Sequence, residues 1–168
     1  MKQYTRVLAR VDLDAVEYNI EMMKKNIEEG TQIMAVIKMD GYGHGAVQIA
    51  RLLEAKDYIW GYAVATLDEA ILLKDACLKK PVLVLGCIFP DQWEVMLRNE
   101  VRMTLYSYEM AKEVSELAAA MDCKVYAHIK LDTGMSRLGF QITKENADEI
   151  AKISKLPNIV MEGFFKSR

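Results

Sequence analysis

The chain is poor in cysteine, proline and histidine, with three, three and two of its 168 residues. Cys77, Cys87 and Cys123 are odd in number and far apart, and form neither a C-x-x-C pair nor a metal-ligand spacing with His44 and His128. They read as reduced thiols filling apolar space, and no metal is expected. No segment reaches the roughly 18 uninterrupted apolar residues of a membrane span. The opening Met1-Lys2-Gln3-Tyr4-Thr5-Arg6 lacks the apolar core of a signal peptide, so the cytoplasm is the expected compartment. There is no basic stripe: the net charge is -2 and the pI near 5.8, which argues against nucleic acid or an anionic membrane as the main partner. Repeats, low-complexity tracts and linkers are also missing. What is present, 52% hydrophobic and 27% charged residues, suits one ordinary domain that binds a small soluble ligand.

Within that composition two periodicities alternate. After an alternating segment over residues 6–12, Val16, Ile20, Met23 and Ile27 recur at three- and four-residue steps and predict a helix over 14–28, ended by Gly30. Strands are predicted over 31–38, 59–65, 81–85, 101–105, 123–131 and 159–165. The helices between them fall over 46–55, after Thr66-Leu67-Asp68-Glu69 with its capping-box spacing, over 91–99, over 107–121 from Ser107, and from Thr143 to 154. Six strands with five intervening helices imply parallel pairing through right-handed crossovers, as a doubly wound sheet or a β/α barrel. A complete barrel has eight units and about 250 residues. A barrel here is therefore expected to be incomplete, about six strands of eight, with two open edges.

Alternation also assigns faces. Over 123–131, Val125, Ala127, Ile129 and Leu131 share one side, while Tyr126, His128, Lys130 and the following Asp132 share the other. If helices cover the outer face, the apolar row meets them and the polar row faces inward. Over 31–38, Met34, Val36 and Lys38 lie opposite Ala35 and Ile37, so Lys38 also points inward, at the strand end where barrel enzymes place their sites.

Lys38 closes an apolar run and precedes Met39-Asp40-Gly41-Tyr42-Gly43-His44-Gly45, with glycine at every second position from 41. Burying an ammonium costs several kcal/mol or more unless it is paired or neutralised, and burial favours the neutral amine that can carry a carbonyl cofactor as a Schiff base. The pattern points to pyridoxal phosphate. The glycines permit positive φ and close backbone approach, and the Tyr42 phenol can donate to a phosphate oxygen. The plainer alternatives are a lysine leaving its strand for solvent and a simple tight turn. Arg137, after Asp132-Thr133-Gly134-Met135-Ser136, can donate to a ligand oxygen or pair with Asp132. His44 and His128 read as turn or interior hydrogen-bonders, and the eleven methionines as core filling.

Three segments carry a resemblance: Val11-Asp12-Leu13-Asp14-Ala15-Val16 with Asn19, the run Ala35 to Gly45, and HIKLDTGMSRLGF from His128 to Phe140. In order and spacing they resemble the amino-terminal part of the alanine racemase family, fold-type III pyridoxal phosphate enzymes. The resemblance implies a TIM-type barrel domain over 1–168 and pyridoxal 5'-phosphate held on Lys38, which would serve as one of two catalytic bases. Tyr42 would contact the phosphate, and Arg137 would donate to the cofactor's phenolic oxygen and meet the substrate. Lys130 matches a lysine that is carbamylated in some members, where its negative charge orients the arginine; a plain lysine would repel it. The implied activity is interconversion of L- and D-alanine, supplying D-alanine for peptidoglycan, by a homodimer.

The family's second base is a tyrosine from a carboxyl-terminal β-domain, reached across the dimer interface, and that domain has no counterpart here. After Met161-Glu162-Gly163-Phe164-Phe165 the chain reads Lys166-Ser167-Arg168, where the family usually continues Thr-His-Phe-Ala. The later arginine at the pyridine nitrogen and the backbone phosphate cradle are missing too. The expectation is a truncated domain with little racemase activity by itself. A serine racemase-type domain, a non-catalytic pyridoxal phosphate-binding module and an inactive remnant are the alternatives.

Overall fold

The computed structural model describes residues 7–167. Residues 1–6 and Arg168 lie outside them, and with them the opening hexapeptide and the start of the alternating segment; residues 7–12 form no strand. Helix α1 (Leu13–Lys25) starts at Asp12, whose carboxylate accepts from the Ala15 amide at 3.1 Å. It ends before Gly30, because Asn26 already satisfies its last turn, donating from its amide to Met23 O (3.0 Å) and from Nδ2 to Met22 O (2.8 Å).

Strand β1 (Ile33–Val36) leads into α2 (Lys38–Gly43), a single helical turn of left-handed backbone. Then follow α3 (Ala46–Leu53), β2 (Ile59–Val64), α4 (Leu67–Asp75) and β3 (Val82–Val84). A 3-10 turn (Pro90–Gln92) runs into α5 (Trp93–Arg98), and β4 (Met103–Leu105), α6 (Tyr108–Ala120), β5 (Val125–Asp132), β6 (Phe140–Gln141), α7 (Lys144–Ile153) and β7 (Ile159–Lys166) complete the order. The hydroxyls of Thr66, Ser107 and Thr143 open α4, α6 and α7, accepting from the amides of Glu69, Met110 and Asn146.

All strand pairs among the described residues are parallel, as expected of strands joined by helical crossovers. One sheet runs β1-β2-β3; the other runs β4-β5-β6, with β7 also on β5. A parallel bridge between Leu83 and Arg102 joins them, with the Val84 amide donating to Arg102 O (2.9 Å) and the Arg102 amide to Val82 O (2.8 Å). The two-residue β6, paired through Leu131 and Phe140, is the strand that periodicity does not reveal, because two residues carry no measurable alternation.

The outer row of β5, Val125, Ala127 and Ile129, is buried, together with Ile49, Ala50 and Leu53 of α3, Leu73 of α4, Met96 of α5 and Val114 of α6. Close strand approach needs Gly61 in β2: a Cβ there would run into Pro81 O, the acceptor of the Tyr62 amide. Among the described residues no helix is long and apolar enough to cross a membrane.

Tyr62 ties these layers together. Its fully buried phenol lies 2.8 Å from Ala50 O and 2.7 Å from Glu54 Oε2, and Glu54 Oε1 accepts from the Lys79 and Lys80 amides ahead of β3. Burial, then the Glu54 carboxylate, pushes the phenol's pKa up, so it stays a donor. Tyr62→Phe removes a donor from a partly buried carboxylate and should cost about 1–3 kcal/mol, read as a lower urea midpoint. A midpoint equal to that of the parent would deny the phenol this role.

Candidate active site

The first candidate residue stands where β1 ends. The Ile37 amide still donates to Ala63 O (2.9 Å), so the sheet pairing reaches one residue beyond β1, and Ile37 is buried among the helices. Val36 and Lys38 fall on the opposite side and line a cavity of about 780 Å³. Past Lys38, four residues in a row are left-handed: Met39, Asp40, Gly41 and Tyr42, at φ 53, 53, 62 and 56°. Each non-glycine residue there costs about 1–2 kcal/mol, so the turn persists only because other bonds offset that cost.

Those bonds are specific. The Gly41 amide donates to Ile37 O (2.9 Å), His44 to Gly41 O (3.1 Å) and Gly45 to Asp40 O (2.8 Å). The Asp40 carboxylate accepts from the Ala46 amide at 2.8 Å, opening α3, and His44 Nδ1 lies 3.0 Å from Gly41 O. His44 is thus a turn residue, as the sequence suggests, and Asp40 is a supporting residue that the sequence does not single out.

The cavity is walled by residues at the carboxyl ends of β1, β2, β3 and β7 and by the segment after β5, including Met34, Leu83, Leu85, Arg137 and Phe164. Lys38 and Arg137, 99 positions apart in sequence, therefore face one space. Lys38 is half-buried rather than sealed, because its side chain opens into the cavity. Its Nζ lies 5.9 Å from the centroid of the exposed Tyr42 ring, which sits at the rim and is not part of the lining.

Arg137 is exposed to the cavity and does not pair with Asp132. The Asp132 carboxylate instead accepts from the Ser136 amide (3.0 Å) and the Gly134 amide (3.1 Å), bonds that hold its pKa below the usual carboxylate range and shape the loop that carries Arg137. Lys130, expected to face inward, is only 3% exposed and does not line the cavity. Its Nζ donates to Leu131 O at 2.8 Å and lies 5.5 Å from the centroid of the Phe165 ring.

His128 lies deeper, between this cavity and a second one of about 620 Å³ lined by Trp60, Gln32 and Glu162. Its ring meets Trp60 edge-on at 5.4 Å, and its Nε2 is 3.5 Å from Glu162 Oε2 without forming a hydrogen bond. Glu162 is engaged by Arg102, which donates to Oε1 (3.1 Å) and Oε2 (3.2 Å). Burial lowers the His128 pKa below 6.5; Glu162 opposes and Arg102 reinforces the shift.

The depressed histidine has a consequence for stability. The unfolded chain takes up the proton near pH 6.5, before the folded one does, so stability present above that pH is lost as pH falls through it. Cooling of the thermal midpoint from about pH 7.5 to about pH 5.5 should be larger in the parent than in His128→Gln. Equal slopes in both proteins would contradict this assignment.

Among the described residues no three His, Cys, Asp or Glu side chains converge as a metal site. The arrangement instead offers an amine and a guanidinium to one partly apolar cavity.

The sequence model of the family described as alanine racemase, N-terminal domain, matches residues 11–166, a stretch that contains Lys38, Tyr42, Lys130 and Arg137. The alanine racemase of Clostridium tetani is 45% identical over 164 residues, covering 98% of this chain and 42% of that protein. That of Clostridium kluyveri is 41% identical over 164 residues, covering 98% and 41%. The solved alanine racemase of Clostridium difficile 630 in complex with cycloserine matches with a TM-score of 0.90 at 38% identity, covering 93% of this chain and 43% of that one. The chain thus spans about two fifths of the length of the curated relatives it matches. Sequence and fold together place the chain in the alanine racemase N-terminal domain family.

Proposed function

We propose that this chain is the cofactor-holding part of a pyridoxal phosphate-dependent alanine racemase. The observation that carries the reading is the shared cavity of Lys38 and Arg137. Its apolar wall of Met34, Val36, Leu83 and Leu85 suits a planar aromatic ring, the Lys38 amine suits a carbonyl carbon and the Arg137 guanidinium an anionic oxygen. Bound there, pyridoxal phosphate would supply an electron sink for negative charge at the α-carbon of an amino acid.

The chain's own residues would do the rest. Lys38 Nζ anchors the cofactor and moves a proton to or from the α-carbon on one face. The Arg137 guanidinium donates to the phenolic oxygen and to the substrate carboxylate. The Tyr42 phenol, at the rim beside Lys38, donates to a phosphate oxygen. Lys130 has few protein partners for a buried ammonium, and carbamylation would convert it into an anion that attracts rather than repels Arg137.

In this reading the two bridged parallel sheets are an open arc of a TIM-type β/α barrel, about six strands of eight. The residues 1–168 are then the amino-terminal domain of a cytoplasmic homodimer that provides D-alanine for peptidoglycan, its second base coming from a carboxyl-terminal β-domain of the partner. A non-catalytic cofactor-binding module is the second reading, favoured by the lack of a second positioned base on the cavity wall among the described residues. The test common to both is borohydride trapping of the chain with pyridoxal phosphate, followed by peptide mapping. A single adduct on Lys38 supports cofactor binding; label scattered over surface lysines refutes it.

A further inference from the structure

We propose that Glu69, on the first turn of α4, is a positioning residue for Lys38, an inference that rests on the cofactor reading of Lys38. The Thr66-x-x-Glu69 spacing predicts a capping box, in which the glutamate would reach back to the Thr66 amide. Only half of that box forms. The Thr66 hydroxyl accepts from the Glu69 amide at 3.4 Å, but the carboxylate turns elsewhere. Its Oε2 accepts from the Ala65 amide and its Oε1 from the Met39 amide, each at 2.7 Å.

Both amides need this acceptor. Met39 opens the left-handed turn, and the first amides of any helical turn have no partner inside it. Ala65 is the first residue past β2 and lines the Lys38 cavity. Bonds to an ionised acceptor are short and roughly twice as strong as neutral ones, which suits a turn holding three strained non-glycine residues.

The geometric consequence falls on Lys38. The amide before it in sequence, that of Ile37, is bound to Ala63 O on β2, and the amide after it, that of Met39, is bound to Glu69 on α4. The Lys38 Cα is therefore held on both sides by the β2–α4 unit. Glu69 fixes the root of the anchoring side chain against the cavity wall without touching the cavity.

The chemistry also distinguishes this role from ordinary capping. A capping box accepts glutamine as well as glutamate. A clamp on two amides needs two acceptor oxygens, and glutamine offers one oxygen and one donor NH2, which would face an N–H.

The experiment uses the full chain and its Glu69→Gln variant, with pyridoxal phosphate as the probe. In the variant the Met39 amide should exchange with deuterium about tenfold or more faster. Adduct formation at Lys38 should slow by about tenfold or more. The induced circular dichroism of the trapped chromophore should collapse toward that of free pyridoxyl-lysine, while the far-UV spectrum stays near the parent's because Thr66 still caps α4, even though the urea midpoint falls. Parental Met39 exchange and a parental labelling rate in Glu69→Gln would overturn the inference alone. Absence of a Lys38 adduct in the parent would overturn the proposed function and this inference with it. Glu69→Asp, which keeps the charge but is too short to span both amides, should behave like the glutamine variant, and supplies the test if that variant does not fold.

Discussion

Lys38→Ala is expected to abolish the borohydride-stable pyridoxal phosphate adduct and to weaken retention of the cofactor at least about a hundredfold, roughly 3 kcal/mol at about 1.4 kcal/mol per tenfold. The loss is large because the attachment is covalent and the other lysine lining the cavity, Lys166, is on the exposed end of β7. Lys130, the buried lysine nearest in chain order to Arg137, is off the cavity wall and spends its Nζ on Leu131 O. The same substitution should leave the urea unfolding free energy within about 0.5 kcal/mol, because Lys38 contributes no protein hydrogen bond among the described residues, only the Tyr42 ring nearby. Adduct yield and stability measured on one preparation separate loss of a site from loss of a fold. An undiminished adduct in Lys38→Ala would dismiss the lysine as anchor.

Racemisation of alanine by the 168-residue chain alone should remain within about tenfold of a protein-free pyridoxal phosphate control, because a missing general base typically costs about 10²–10⁴-fold. Inversion at the α-carbon requires one group to remove the proton from one face and another to return it to the opposite face. The ionisable side chains that line the cavity among the described residues are Lys38, His128, Arg137 and Lys166. An arginine is not a base in water. Lys166 stands on the exposed end of β7, and no hydrogen bond or ion pair among the described residues positions its amine. His128 is kept neutral by burial, but its ring packs on Trp60 and its Nε2 lies toward Glu162. Lys38 is left as the one positioned shuttle. Chiral chromatography of L-alanine incubated with the loaded chain checks this, and turnover near the common enzymatic value of about 10 per second would refute it.

Helix starts were the most legible part of the fold. Thr66, Ser107 and Thr143 each precede an apolar helical period, and each accepts a hydrogen bond from the amide three residues on, a contact confined to four consecutive residues. Part of the strand faces was legible for a similar reason: period-two alternation sets Val125, Ala127 and Ile129, all buried, apart from His128, which lines the cavity. The carboxylates were not. Glu69 looked like half of a capping box and Asp132 like the end of a polar row or the partner of Arg137. Their acceptor oxygens instead go to Met39 and Ala65, and to Gly134 and Ser136. A carboxylate can take any nearby donor, and tertiary packing decides which donors are near.

The sequence by itself determined the alternation of helix and strand, the cavity-facing side of Lys38, and the family to which three of its segments point. Each of these rests on side-chain order along a few residues, and local geometry translates that order directly. Only the tertiary structure decided that α2 is left-handed, that β6 exists, and that Arg137 shares a cavity with a lysine 99 positions earlier. A left-handed turn of non-glycine residues is unfavourable alone, and a two-residue strand has no stability of its own. Both persist because distant segments offer the hydrogen bonds that offset those costs.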